Sequence, residues 1–225
     1  MISIRALDFS YPDSDFRLQI PEFTVGKQEK VAVIGPSGSG KTTLLNLVSG
    51  ILVPETGSVS CADTDVSDLS DKARRHFRIS NIGFVFQAYN LIPVLTAQEN
   101  VEFVMQVQGI PTAKRREKSL AILEEVGLEG LENRRPAEMS GGQQQRVAVA
   151  RAIVSRPALV LADEPTANLD SKTSDELMGL FKELNEHHNT TFVIATHDQR
   201  VMRYAKRIIR MRDGRIVDDI EQNAA

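Results

Sequence analysis

The chain has 225 residues, 41% hydrophobic and 25% charged, with a formal net charge of −3. That is an ordinary globular composition, long enough for one large domain or two small ones, and the charge gives no general attraction to nucleic acid or to an anionic membrane surface. A single cysteine, Cys61, excludes an internal disulfide and reads as a small packed residue in a reduced cytosolic setting, while no apolar run reaches the ~18 residues that suggest a bilayer span and the N-terminus lacks a signal-peptide layout.

Ile2, Ile4, Ala6 and Phe9 alternate with polar neighbours, and Phe16, Leu18, Ile20 and Phe23 do so again after the turn-rich Tyr11-Pro-Asp-Ser-Asp15. This patterning predicts an antiparallel pair with one solvated face. From Val31 the texture changes to continuous apolar strands separated by helices, as in a parallel sheet with helical crossovers. The strands expected are Lys30–Ile34, Asn81–Phe86, Ala158–Ala162, Thr191–Thr196 and Arg207–Met211, with Asp213-Gly-Arg-Ile-Val217 as a turn into a last one. Between about Tyr89 and Arg156 the pattern is helical, with helices over Gln98–Val107 and Thr112–Val126 punctuated by Gly109-Ile-Pro111 and Gly127. Residues 90 to about 135 read as a helical subdomain inserted into a core made from 1–89 and 136–225, all within one domain. The basic cluster Lys114–Lys118 shares its segment with Glu117, Glu124 and Glu125, which favours a solvated helix face over a contact patch.

The first apolar strand runs into Gly35-Pro-Ser-Gly-Ser-Gly-Lys41-Thr42, and Thr43-Leu-Leu-Asn-Leu-Val48 leads out as a helix. Strand, glycine loop, Lys-Thr and helix together make a phosphate-binding loop. Glycines let successive N–H groups turn inward at phosphate oxygens, and the helix adds its positive end. Lys41 would bridge the β- and γ-phosphates and the Thr42 hydroxyl would ligate Mg²⁺. Such a loop needs a second carboxylate and a means of activating water. Leu159-Val-Leu-Ala-Asp163 is an apolar strand ending in that carboxylate, and Glu164 follows as the group to polarise attacking water. Ser140-Gly-Gly-Gln143 opens a further helical run and is a second anion-ready surface. One chain gains little from two such surfaces in cis, so the second makes sense as part of a site on another copy.

These motifs closely resemble the nucleotide-binding subunits of ABC transporters over nearly the whole chain. GPSGSGKT, Gln87, MSGGQ, LVLADE, Ala167-Asn-Leu-Asp170 and His197 stand in family order at family spacing, with Met139 in place of the usual leucine as a volume-conserving departure. The resemblance implies an α/β fold: a P-loop NTPase core with a mostly parallel sheet, an N-terminal antiparallel β-subdomain and an inserted α-helical subdomain. It implies an ATPase whose two copies stack head to tail around two ATP molecules. Gly35, Pro36, Ser37, Gly38, Ser39, Gly40, Lys41, Thr42 and Thr43 would hold the phosphates of one ATP. Ser140, Gly141, Gly142 and Gln143 of the opposite copy would complete that site, with Asp170 at the interface. Thr42, Gln87 and Asp163 would surround Mg²⁺, Glu164 would be the general base, and His197 would contact the γ-phosphate. Tyr11 stands where the family places an aromatic on adenine, with Phe9 and Phe16 close by. His76, His187 and His188 read as surface residues.

Finer features are similar to the ATPases of lipoprotein-release, macrolide-export and cell-division ABC systems: the run Gly83–Val101, Ser140-Gly-Gly-Gln-Gln-Gln-Arg146 and Thr166-Ala-Asn-Leu-Asp-Ser171. The resemblance implies a motor at the cytoplasmic face of the inner membrane, bound to a few-helix membrane subunit with a large extracytoplasmic domain. The segment Gln87–Glu99 would form much of the docking groove. With so few residues after the last expected strand, no added C-terminal regulatory domain is expected, which argues against some importer ATPases; an importer such as one for amino acids remains the alternative, and a soluble ABC ATPase the more distant one.

Overall fold

The computed structural model describes residues 1–222, the side chains at 199 and 200 excepted. In chain order the elements are β1 (Ile2–Ser10), β2 (Arg17–Val25), β3 (Lys30–Ile34), α1 (Lys41–Val48), β4 (Thr56–Cys61), the short β5 (Thr64–Asp65), α2 (Asp71–Asn81), β6 (Ile82–Phe86), α3 (Ala97–Val107), α4 (Thr112–Glu125), α5 (Gly141–Ile153), β7 (Leu159–Asp163), α6 (Ser171–His188), β8 (Thr191–Thr196), β9 (Arg207–Arg212) and β10 (Arg215–Glu221). Each strand expected from the sequence is present; the helices expected over 98–107 and 112–126 differ by a residue at an end, and α1 begins two residues before the expected Thr43.

The first sheet has the order β2-β1-β4-β5 and is antiparallel throughout. Its hydrophobic alternation is not the one the sequence suggests. Ala6 is exposed at φ 46°, and Leu7 takes the buried place. The register between β1 and β4 slips between Arg5 and Asp8, so Ala6 sits in a bulge that reverses the alternation of β1. Gly57 lies opposite at φ 84°, where a Cβ would come within 2.3 Å of the Ala6 carbonyl oxygen. Only glycine fits that approach.

The second sheet has the order β10-β9-β3-β8-β7-β6, parallel except for the β9–β10 hairpin. Its central strands are apolar on both faces because both are covered. Successive residues of β7 serve opposite sides: Leu159 and Leu161 join the core under the first sheet and α1, and Val160 and Ala162 join the core under α3–α6. Val193 and Phe192 of β8 divide in the same way. Helices α3 and α4, which fall within the 90–135 stretch, pack through Val101, Met105, Ile122 and Leu123 onto the side of α5 that carries Val147 and Ala150.

The parallel register fixes the functional end of the molecule. Ile34 pairs with Thr196, Ala195 with Asp163, and Asp163 with Phe86, so four strands end level with one another. The loops leaving those ends carry Gly35–Gly40, Gln87, Glu164 and His197. The carboxyl end of a parallel sheet is where open α/β folds place ligands.

Candidate functional site

A cavity of about 850 Å³ opens at that end, lined by Tyr11, Phe16, Pro36, Ser37, Gly38, Gly40, Lys41, Thr42, Thr43, Gln87, Asp163, Glu164 and His197. The loop is built around close backbone approaches. A Cβ at Gly35 would sit 2.3 Å from the Met211 carbonyl oxygen, and Gly40 turns the chain into α1 at φ 102°. No side chain caps α1 and no acid stands in its first turn, whereas Ser70, Thr96, Ser140 and Asp170 cap α2, α3, α5 and α6. The first N–H groups of α1 therefore remain available to an anion. Two loop residues do not line the cavity. Gly35 faces an adjoining hollow shared with Pro36 and His197, and Ser39 is buried behind the loop, its carbonyl accepting from Gly214 N at 3.1 Å.

Lys41 is only 7% exposed; its Nζ donates to the carbonyls of Gly35 at 2.9 Å and Pro36 at 3.1 Å and lies 3.7 Å from Glu164 Oε1. The Thr42 hydroxyl donates to Asp163 Oδ2 at 2.8 Å. Asp163 Oδ1 is buried without a partner among the described residues, and burial raises the carboxyl's pKa against the opposing pull of Thr42. A carboxyl oxygen withdrawn from water with no donor suits a hard cation held by Thr42 and Asp163.

Glu164 occupies a left-handed backbone conformation, φ 47°, which is uncommon for a residue with a side chain. Its N–H donates to Ala195 O at 2.8 Å, and the buried Gln145 amide donates to the following Pro165 carbonyl at 2.8 Å. The carboxylate is aimed by three contacts. Oε2 accepts from Thr196 Oγ1 at 3.0 Å and His197 N at 3.2 Å, and Oε1 lies 2.9 Å from His197 Nδ1. Thr196 and Gln145 are absent from the sequence-derived candidates. The strand-end position of Thr196 beside His197 is a usable signal; Gln145 is marked only by its place in the run Ser140–Arg146, as the fifth residue of α5.

Tyr11 presents a partly exposed ring, 37%, anchored by its hydroxyl 3.1 Å from Thr43 Oγ1 and by an edge-on contact with Phe9 at 4.9 Å. Phe9 is buried, so Tyr11 and Phe16 are the aromatics that face the cavity. Gln87 is exposed just past β6, and its carbonyl accepts from Asn168 Nδ2 at 2.9 Å.

Ser140, Gly141, Gly142, Gln143 and Asp170 do not line the cavity. They form a separate surface at two adjacent helix starts. Ser140 and Gln143 make a reciprocal capping box on α5, at 3.3 and 2.9 Å. Asp170 accepts from Thr173 N at 3.0 Å and Thr173 Oγ1 at 2.7 Å, bonds that hold its carboxyl below the usual range. The two starts touch: a Cβ on Gly142 would lie 2.7 Å from the Thr173 methyl.

A third feature is an apolar groove of about 490 Å³ between β6, α2, α3 and α5, with Ile82, Phe84, Phe86, Phe103 and Val104 as walls and Arg78 and Arg151 as its cations. From the segment Gln87–Glu99 it takes only Asn90 and Ile92. Among the histidines, His188 is not a free surface residue: its Nε2 lies 3.0 Å from Glu125 at the end of α4.

The pattern of the ABC transporter family matches residues 18–167. The lipoprotein-releasing system ATP-binding protein LolD of Pseudomonas fluorescens is 41% identical over 220 residues, 96% of this chain and 97% of that protein. The macrolide export ATP-binding/permease protein MacB of Rhodopirellula baltica is 41% identical across the whole chain, which spans 34% of that longer protein. Among solved structures, the ATP-binding cassette MJ0796, a dimer in a post-hydrolysis state bound to ADP and Pi, has a TM-score of 0.89 at 38% identity, covering 99% of each chain. The chain belongs to the ABC transporter family and is one of its ATP-binding, ATP-hydrolysing cassettes.

Proposed function

We propose that this cassette works as a homodimer that closes on two ATP molecules and drives a separate membrane subunit of the lipoprotein-release or efflux type. The observation that carries the reading is the division of the motif residues between two surfaces: the phosphate loop, Asp163, Glu164 and His197 share one cavity, while Ser140–Gln143 and Asp170 stand outside it. A second copy, stacked head to tail, would bring its own Ser140 and Gly142 to the γ-phosphate and place Asp170 at the interface.

Within the cavity, the loop N–H groups and Lys41 hold the phosphates, and Tyr11 stacks on the adenine. Lys41 exchanges its loop carbonyls for phosphate oxygens. Thr42, Asp163 and Gln87 would hold Mg²⁺, which when bound neutralises charge on the phosphate oxygens. Glu164 takes a proton from the attacking water, its direction set by Thr196 and His197. The second ring nitrogen of His197 is left to meet the γ-phosphate.

The apolar groove is the docking surface for the membrane subunit, a few-helix protein with a large extracytoplasmic domain, and residues 90–135 move as the helical subdomain that carries one wall of it. Among the described residues no helix is long and apolar enough to cross a membrane, consistent with a peripheral place at the cytoplasmic face. The relatives LolD and MacB, named for lipoprotein release and macrolide export, support this branch of the family. The test is capture of tagged Glu164→Gln protein with ATP from detergent-solubilised membranes. A few-helix partner with a large external domain is expected. A many-helix permease without one would move the reading to an importer, and no membrane partner at all would overturn it.

A further inference from the structure

We propose that Arg151, which none of the motifs assigns, is a positioning residue for hydrolysis: from α5 it clamps the loop that presents Gln87 to the nucleotide cavity. The guanidinium donates to the carbonyls of Asn90 at 2.5 Å and Tyr89 at 2.7 Å. Both residues have left-handed backbones, φ 59° at Tyr89 and φ 51° at Asn90. Two consecutive side-chain-bearing residues in that region do not hold themselves there; surrounding contacts must impose it. Arg151 imposes it at the two carbonyls concerned.

The bonds go to carbonyl oxygens and not to a carboxylate, and burial is the cause that lowers the Arg151 pKa. A charge partly withdrawn from water for two neutral acceptors costs stability. The planar fork is what reaches both carbonyls at once. Upstream in the same loop, the Gln87 carbonyl is held by Asn168 from the segment that leads to Asp170. The Tyr89 hydroxyl lies 3.0 Å from where a Cβ on Gly141 would stand, against the start of the helix that Ser140 caps. Arg151 and Asn90 also line the apolar groove. One helix, α5, thus carries Ser140 at its start and Arg151 a few turns on, and a displacement felt at either Ser140 or the groove reaches Gln87 through the clamp.

The inference rests on the role given above to Gln87, and a double-mutant cycle separates the two. Gln87→Ala, Arg151→Met, Arg151→Lys and the Gln87→Ala/Arg151→Met pair are made in the full chain, and turnover, ATP affinity and Mg²⁺ requirement are measured. Arg151→Met is expected to lower kcat by about tenfold or more, the scale of a small misplacement at a reacting centre. Its ATP affinity stays within about twofold of the parent, because the phosphate loop and Lys41 are untouched, while its Mg²⁺ requirement rises, because Gln87 is no longer held toward the ion. Arg151→Lys, which keeps charge and stem but not the fork, recovers part of the rate; should the Met variant fail to fold, the Lys variant carries the cycle. The double variant should be no slower than Gln87→Ala alone. Losses that multiply, or an Arg151→Lys protein with full turnover, overturn the proposal. Normal turnover in Gln87→Ala overturns the underlying reading of Gln87, and the proposal with it.

Discussion

Glu164→Gln separates holding ATP from cleaving it, and the contacts of Glu164 say how cleanly. A glutamine oxygen placed at Oε2 keeps the bonds from Thr196 Oγ1 and His197 N, at 3.0 and 3.2 Å. Its amide then faces His197 Nδ1, 2.9 Å away in the parent, and a neutral imidazole carrying its proton on Nε2 accepts it. All three contacts survive, with His197 fixed in one tautomer. What disappears is the 3.7 Å approach to Lys41, which still has its two carbonyl partners, and the basic oxygen itself. The stability change should therefore stay within about 1 kcal/mol, a Tm shift of about 2–4 °C for a chain of this size. General-base catalysis is worth about 10²–10⁴-fold, so kcat should fall by about 10²-fold or more while ATP affinity is held or improved. Phosphate release at saturating ATP, nucleotide titration and a thermal melt read the three quantities. Near-normal turnover would remove Glu164 from its role, and parallel loss of binding and turnover would show that its contacts, not its basicity, matter.

Hydrolysis per chain should rise with protein concentration, because dimers do the work; strict proportionality at concentrations where the protein sediments as a monomer would contradict this. Gly57→Ala should cost about 2 kcal/mol or more, since the new Cβ meets the Ala6 carbonyl at a left-handed position of β4, lowering Tm by about 4 °C or more without altering ATP affinity in the folded protein; an unchanged melt would refute the bulge argument. The Arg207 fork bonds Asp219 at 2.6 Å through both Nε and Nη2 and holds its carboxyl below the ordinary 3.8. A depressed native pKa contributes stability that is present above that ordinary value and lost as pH falls through the native one. Asp219→Asn should thus melt below the parent at pH 7, with a gap that closes only under strong acid; a gap that widens in acid would reverse the sign.

The parallel sheet was legible because its strands are short, wholly apolar runs bounded by glycine or acid, such as Leu159–Asp163. The same loops declared the phosphate site, since Gly35–Thr42 matters through its backbone and so leaves a compositional trace. β4 and α2 left none. Thr56-Gly-Ser-Val-Ser-Cys61 is mostly small and polar, and α2 buries Phe77 alone on an otherwise charged segment, so neither presents an apolar stretch. The Ala6 bulge was hidden for a different reason: it is imposed by Gly57, some fifty residues away, through a strand the patterning does not reveal. The supporting contacts of Thr196, Gln145 and Arg151 depend on where helices and strands cross, which periodicity does not encode.

In the proposed dimer, the site of ATP bound at Lys41 of one copy is completed by Ser140 of another. Sedimentation of Glu164→Gln protein with ATP and Mg²⁺, alone and combined with Ser140→Arg, tests it most directly. A dimer carrying two nucleotides is expected for Glu164→Gln, and a monomer that still binds ATP once Ser140→Arg is added. A Glu164→Gln protein that stays monomeric with ATP bound, or a dimer indifferent to Ser140→Arg, would contradict it.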